Sequence, residues 1–557
     1  LTLQVVALDD CHPGRGGVVV RALRPAMTTN AVPPTASVFC RELRHTFGRR
    51  RTSRACVHFR RGRHLGWERR SHVACCSESS WEVDETGGVV FTVNELVAVT
   101  FGELFHQGSP GSVCTDTRVV RPGQWFLALS GDTFDGDEFA HDALSAGCAG
   151  VVSCRPPPEN WTAGWVRVED TTHALQSLAS IVRNKFKGVV VGITGSVGKT
   201  TVRELCALAL GDETHSHVTK SNFNNHIGVP LTILKAPPDA KVWVLEMGMS
   251  APGEIATLVS IARPTIRVVT NVAPAHLNGV RDVDGVAAAK AEMFANAVPG
   301  DVCVLNADDH RVMAMRIPTG CVCVSFGGVG SGADVMFETT QNAGDDDGED
   351  EVFAPNEFRL RDKKNAETIN VSLSQPGAHL AQCTACASAI AVVTGMPLTR
   401  AGARMESFTS PNGRSRVSRN AKFGITVLDD AYNASPKSVA SAFATLRNAK
   451  DRGHRTVALL GDMLELGSAS HGLHVETLTL CLDARFDVVG VAGEAFSAAA
   501  TTLAATRPDA AVVVVATDAE ALWENICVPA TATGSVVLVK GSRGMGMERI
   551  VRRLVEE

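Results

Sequence analysis

The chain has 557 residues, 45% of them hydrophobic and 20% charged, ordinary proportions for a globular protein with room for about three or four domains. That excludes wholesale disorder and collagen-like or coiled-coil chains, and no apolar run is long enough for a membrane-spanning helix. The net charge of −5 is uneven: residues 1–80 hold 14 Arg, no Lys and 5 acids, a net of +9, so the remainder carries −14, and an acidic body argues against nucleic acid as the main partner.

From Met27 to Cys76 the chain is rich in Arg, Ser, Thr and Ala, with only Glu42 and Glu68 as acids and Arg clusters at Arg49–Arg51 and Arg60–Arg63. This is the composition of an organelle transit peptide, without the apolar core of a secretory signal. A basic disordered arm is the plainer alternative. Residues 1–87 are read as a leader outside the fold, and the expected location is a plastid, or the cytoplasm if the stretch is no transit peptide. The 16 Cys are scattered without a compact disulfide framework, as in a reduced, intracellular enzyme.

A small unit is expected over 88–186, with short strands at Trp125–Leu129 and Gly150–Ser153 and loop punctuation at Pro156–Pro158 and Gly164. From Lys187 the pattern becomes strand, loop, helix, repeated. Val189–Thr194 is apolar and β-branched, Gly195–Gly198 is a loop, and Thr200–Leu210 has helical apolar spacing. Val242–Glu246, Ile266–Asn271 and Val302–Asn306 read as further strands. Such alternation predicts a mostly parallel sheet with helices on both faces. Ligands bind outside the carboxyl ends of such strands, where Thr194, Glu246, Asn271 and Asn306 place polar groups. The acidic run Gly344–Glu351 reads as a solvated insertion. Ala378–Val393 reads as a buried helix in which Cys383 and Cys386 are small apolar residues rather than a redox or metal pair. This central unit is expected over 187–395. A last unit, 396–557, has candidate strands at Gly424–Leu428, Thr456–Leu460, Val488–Val491, Ala511–Val515 and Ser535–Val539. The fold class is α/β in three domains: a small N-terminal α/β domain, a central phosphate-loop domain on a parallel sheet, and a Rossmann-like C-terminal domain.

The strongest local signal is Gly195-Ser196-Val197-Gly198-Lys199-Thr200-Thr201, between a strand and a helix. Glycines let backbone N–H groups turn inward around phosphate oxygens. Lys199 would reach the terminal phosphates and the Thr200 hydroxyl would hold Mg²⁺. The full Walker spacing is not met, because Ile193 stands where its first Gly belongs. Glu246, at a strand end across from this loop, is a second Mg²⁺ ligand candidate. Taken alone, His276 and Lys290 read as solvated residues.

With Val244–Gly248, Thr270–Asn278 and Ala289–Phe294 in this order and at these distances, the chain resembles the Mur ligases. Lys220–Pro230, Leu428–Pro436, Leu460–Gly467 and Val539–Gly544 narrow the resemblance to the members that add D-Ala-D-Ala to UDP-MurNAc-tripeptide. It covers about residues 90–557. The Asp-Asn-Pro-Arg motif of the ligase adding the third amino acid is absent, and folylpolyglutamate synthases fit the N-terminal unit poorly.

The resemblance implies an ATP-dependent amide ligase that works through an acyl phosphate. Thr200 and Glu246 would hold one Mg²⁺. His276 would help hold a second, together with Lys290 as a CO₂-derived carbamate. Lys199 would act on the phosphates, and Arg414 would swing onto them from the C-terminal domain. ATP would lie against Gly195–Thr201 and Asn306, with Asp430 on the ribose and Tyr432 and Asn433 near the nucleotide. Thr115, Asp116, Thr117 and Arg118 would take the uridine side of the substrate, and Asn222, Asn224 and Asn225 its muramoyl-peptide side. Lys540 and Arg543 would lie near the dipeptide. His471 and His474 read as structural. One departure stands out: where the family offers adenine an Asn, this chain has Leu380-Ala381-Gln382-Cys383, with Cys383 in the aligned place. The implied partners are small molecules only, with no nucleic acid or membrane insertion, and the chain is expected to act as a monomer. A non-catalytic plastid scaffold, or a ligase for another acceptor, are the rival functions; retention of Lys199, Glu246, His276 and Lys290 together speaks against the scaffold.

Overall fold

The computed structural model describes residues 81–131, 134–340, 352–507, 513–530 and 532–556. Residues 1–80 of the expected leader and the whole acidic run Gly344–Glu351 therefore lie outside the described residues, whereas residues 81–87, expected to be leader, belong to the fold: Trp81 is buried and its Nε1 donates to Ala236 O at 3.0 Å. No described helix is long and apolar enough to cross a membrane.

Three main sheets organise the described chain. The first has five strands in the order Glu103–His106, Gly164–Arg167, Gly150–Ser153, Trp125–Leu127 and Val113–Cys114. The second has nine: Glu367–Leu373, Asn356–Asp362, Val335–Thr339, Val322–Gly328, Val302–Asn306, Ile266–Val269, Val189–Thr194, Val242–Glu246 and Ser216–Val218. The third has six: Arg416–Asn420, Ile425–Asp430, Ser535–Lys540, Arg455–Gly461, Val488–Ala492 and Val514–Ala516.

The expected strands of the central unit are present, and all are parallel. The sheet as a whole is mixed, because Asn356–Asp362 and Glu367–Leu373 add an antiparallel edge. Their alternating burial marks one wet face, whereas Val242–Glu246 is buried throughout. A strand covered on both faces must be apolar at every position, which makes it the more legible kind.

Helix Lys199–Leu210 packs against helix His379–Val393. Cys206 and Ala209 on the first, and Cys383, Cys386 and Ala389 on the second, are buried in one core. The cysteines are free thiols, and burial pushes the Cys383 thiol up to about 12, so they serve as small apolar residues. Helix Leu398–Met405, beyond the expected end of the central unit at 395, buries Leu398, Ala401 and Met405 in this same core. On the opposite face Trp243 stacks on Phe186 at 3.9 Å, and Trp81 meets Trp243 edge-on at 6.2 Å.

Candidate active site

The strand order reverses at Val189–Thr194, which has Val242–Glu246 on one side and Ile266–Val269 on the other. A crevice outside the carboxyl ends forms at such a switch point. Gly195–Gly198 starts there. Gly195 has φ +154°, and a Cβ on it would lie 1.8 Å from Thr270 Oγ1. Gly198 adopts φ +85° as the N-cap of the following helix. The neighbouring strand end ties the loop down: Val197 N donates to Asn271 Oδ1 at 3.0 Å, and Asn271 Nδ2 and Thr270 Oγ1 donate to Val197 O at 2.9 Å each.

Glu246 is 2% exposed. Its Oε2 accepts from Thr200 Oγ1 at 3.0 Å and its Oε1 from Asn224 Nδ2 at 2.8 Å. Parallel pairing of the two strands brings the two candidate metal ligands together. Arg203 joins them, a residue absent from the sequence reading. It is buried, and its Nη1 donates to Glu246 Oε2 at 3.3 Å and to Ser221 O at 2.9 Å. The available signal was spacing: Arg203 follows Thr200 by three residues and shares its helix face. Asn225 caps the short helix Gly228–Ile233, accepting from Gly228 N at 2.8 Å, whereas Asn222 is exposed.

Lys290 is 2% exposed on helix Val283–Ala295. Among the described residues it makes no hydrogen bond or ion pair. Burial, and then the charge of Lys199, hold its ammonium well below the ordinary lysine value. Lys199 Nζ donates to Gly195 O at 2.7 Å. Burial depresses its basicity too, with Glu246 opposing and Arg414 assisting. The imidazole of His276 is held below its usual range by burial and then by Lys199. Its Nδ1 pairs with Glu465 Oε2, from the third sheet.

The third sheet brings its own carboxyl ends to this crevice. The Arg414 guanidinium lies 4.1 Å from the centre of the Tyr432 ring, and that of Arg543 lies 5.7 Å from it. Asp430 and Lys540 face each other on paired strands and form a buried ion pair. Lys540 also donates to Asn433 O at 3.0 Å. Two residues expected to meet different ligands thus meet each other. Asn306 is committed inside the protein, donating to Thr270 O at 2.7 Å. Cys383 backs the phosphate loop, its Sγ 3.2 Å from where a Gly198 Cβ would stand. The neighbouring Gln382 Nε2 reaches Asp308 Oδ2 at 3.4 Å. His474 is buried, accepts from Met463 N at 3.0 Å through Nε2 and donates to Ser470 O at 2.7 Å through Nδ1, as a structural histidine does.

Thr115–Arg118 follows the first-sheet strand Val113–Cys114. Arg118 and Asp116 are paired with each other, at 2.7 Å and 2.8 Å, rather than with residues of the crevice. Among the described residues no three His, Cys, Asp or Glu side chains gather as a metal cluster.

Two family models match the chain: the Mur ligase middle domain over residues 193–391, and the Mur ligase glutamate ligase domain over 413–543. The UDP-N-acetylmuramoyl-tripeptide–D-alanyl-D-alanine ligase of Escherichia coli (strain K12) is 33% identical over 476 residues, 84% of this chain and 98% of the relative. The Bacillus subtilis (strain 168) protein of the same name is 30% identical over 475 residues, with the same shares covered. MurF from Acinetobacter baumannii superimposes with a TM-score of 0.74 at 25% identity, over 85% of this chain and all of that one. MurF from Thermotoga maritima in complex with ADP has a TM-score of 0.66 at 25% identity, over 80% of this chain and 97% of that one.

Proposed function

Since this chain belongs to the Mur ligase family, we infer that it joins D-Ala-D-Ala to UDP-MurNAc-tripeptide at the expense of ATP, giving the UDP-MurNAc-pentapeptide of peptidoglycan synthesis. The observation that carries this reading is the pair Lys199 and Lys290, the first half-buried and the second buried. Neither has an acidic ion-pair partner among the described residues; Lys199 is tied to the glycine-rich loop through Gly195 O, and Lys290 lies close enough to Lys199 to feel its charge. Cations so placed beside loop amides suit a polyanion.

A carboxylate is a poor acyl donor because its leaving group would be oxide. Transfer of the γ-phosphoryl group from ATP to a carboxylate oxygen of the tripeptide gives an acyl phosphate and ADP. The dipeptide amine attacks the acyl carbon, the amide C–N bond forms, the C–O bond to phosphate breaks, and the amine gives up a proton. Lys199 and the loop amides hold the phosphates in line, and Arg414 adds positive charge from the third sheet. Thr200 and Glu246 fit one Mg²⁺, since both are hard oxygen donors and lie 3.0 Å apart. Mg²⁺, when bound, neutralises phosphate charge. A bare Lys290 ammonium would repel a second cation. Its lowered basicity favours the neutral amine, which adds to CO₂ with loss of a proton and becomes an anionic carbamate able to share a metal with His276.

Asn222 and Asn224 are assigned to the peptidyl side, Thr115–Arg118 to the uridine side and Arg543 to the dipeptide. The pairing of Asp430 with Lys540 makes them one unit beneath the nucleotide. The three sheets stand for three domains, and because residues from the second and third serve one nucleotide, their closure belongs to the cycle. The Arg-rich stretch 27–76 supports import into a plastid; a reporter fused behind residues 1–85 that stays in the cytosol of a plastid-bearing cell would exclude it.

The test is phosphate release by protein lacking residues 1–80, which keeps the buried Trp81, omitting ATP, Mg²⁺, tripeptide nucleotide or D-Ala-D-Ala in turn. Dependence on all four, with pentapeptide found by mass spectrometry, is the expected result. Release without the dipeptide, or none with ATP still bound, points to another acceptor. Gly195→Ala is expected to cost about 10²-fold in turnover, because a Cβ there displaces the loop from the phosphates; native turnover would mean that the loop yields without consequence.

A further inference from the structure

Two residues with strained backbones meet across the crevice. His276 has φ +56° and Glu465 has φ +64°, and neither is glycine. The left-handed region costs such residues on the order of 1–2 kcal/mol each. One contact joins them directly, and their two loops meet at two more. His276 Nδ1 pairs with Glu465 Oε2, Asn278 N donates to Glu465 O at 3.3 Å, and a Cβ on Gly467 would lie 3.0 Å from Asn278 Oδ1.

The loop carrying Glu465 is held from behind. Met463 N donates to the buried His474, Leu464 N donates to Ser542 Oγ at 2.8 Å, and Asp462 accepts from Ala495 N and Phe496 N at 2.9 Å each. Yet the Glu465 side chain is 55% exposed. An exposed pair of this kind contributes about 0–1 kcal/mol to stability, less than the two left-handed residues cost. Stability therefore does not explain the arrangement, whereas orientation does. A carboxylate on one ring nitrogen fixes the tautomer and aims the other nitrogen, the usual outer support of a metal-bound histidine.

We propose that Glu465 is a positioning residue for His276: it engages Nδ1 and leaves Nε2 for a divalent cation, so the cation site is complete only when the third sheet is docked on the second. The proposal rests on His276 being a metal ligand.

The test compares Glu465→Gln, Glu465→Ala, His276→Ala and the Glu465→Ala/His276→Ala double variant. Mn²⁺ binding is followed by electron paramagnetic resonance, with the tripeptide nucleotide and a non-hydrolysable ATP analogue present, beside the Mg²⁺ dependence of kcat. Glu465→Ala is expected to weaken one of two Mn²⁺ sites by about 10–100-fold. Glu465→Gln should fall between it and the native chain, with melting temperature and the KM for ATP at saturating Mg²⁺ unchanged. In the double variant the Glu465 change should add nothing further. If His276→Ala shifts Mn²⁺ binding and Glu465→Ala does not, the proposal fails while the metal role of His276 stands. If His276→Ala shifts nothing, the reading beneath the proposal fails with it.

Discussion

Lys290→Ala is expected to lower kcat by about 10³-fold or more, roughly 4 kcal/mol of transition-state stabilisation, and excess bicarbonate should not restore it. The side chain is fully enclosed and lies close enough to Lys199 to feel its charge, so nothing else in the wall replaces it. In native protein, removal of CO₂ should depress turnover and bicarbonate should restore it; indifference of the native enzyme to CO₂ would sink the carbamate while leaving the lysine essential. The same burial makes a stability prediction. In CO₂-free buffer the folded chain binds fewer protons at Lys290 than the unfolded chain between the depressed folded pKa and the ordinary 10.5, so stability rises with pH across that window. Below the folded pKa the penalty is present in full. Lys290→Met removes this contribution, so it should melt above the native chain at neutral pH and depend less on pH. A variant melting lower than native would contradict it.

Glu246→Ala should act on activity and stability together. Removing the carboxylate takes away a proposed Mg²⁺ ligand, expected to cost at least ~10²-fold in kcat/KM for ATP. It also strands Arg203, which is 3% exposed. Breaking a buried pair costs about 3–5 kcal/mol, and the lower end applies because Glu204 still contacts the guanidinium. Denaturant midpoints and turnover separate the two effects. The Glu246→Gln/Arg203→Met double variant removes both charges and should recover much of the stability with none of the activity. Recovery of activity would remove Glu246 from the metal site.

The local chemistry of the site was legible in the chain. A glycine-rich loop between an apolar strand and a helix is contiguous, and Val189–Thr194, Val242–Glu246 and Val302–Asn306 have the expected ends because each is apolar throughout and closes on a polar residue. The antiparallel edge Asn356–Asp362 and Glu367–Leu373 was not legible, since half-wet strands alternate and their polar residues resemble loop. Nor could spacing show that Asp430 answers Lys540, 110 residues away, that Asn225 caps a helix, or that Cys383 backs the phosphate loop. By itself the sequence determined the α/β class, the phosphate loop and the family resemblance, because these rest on short runs whose periodicity and glycine positions are local properties. Only the tertiary structure decided which charges are buried and with whom. Arg203 reaches Glu246 through the parallel register of two strands, and His276 reaches Glu465 across 189 residues of chain. Burial and pairing depend on distances that only packing sets.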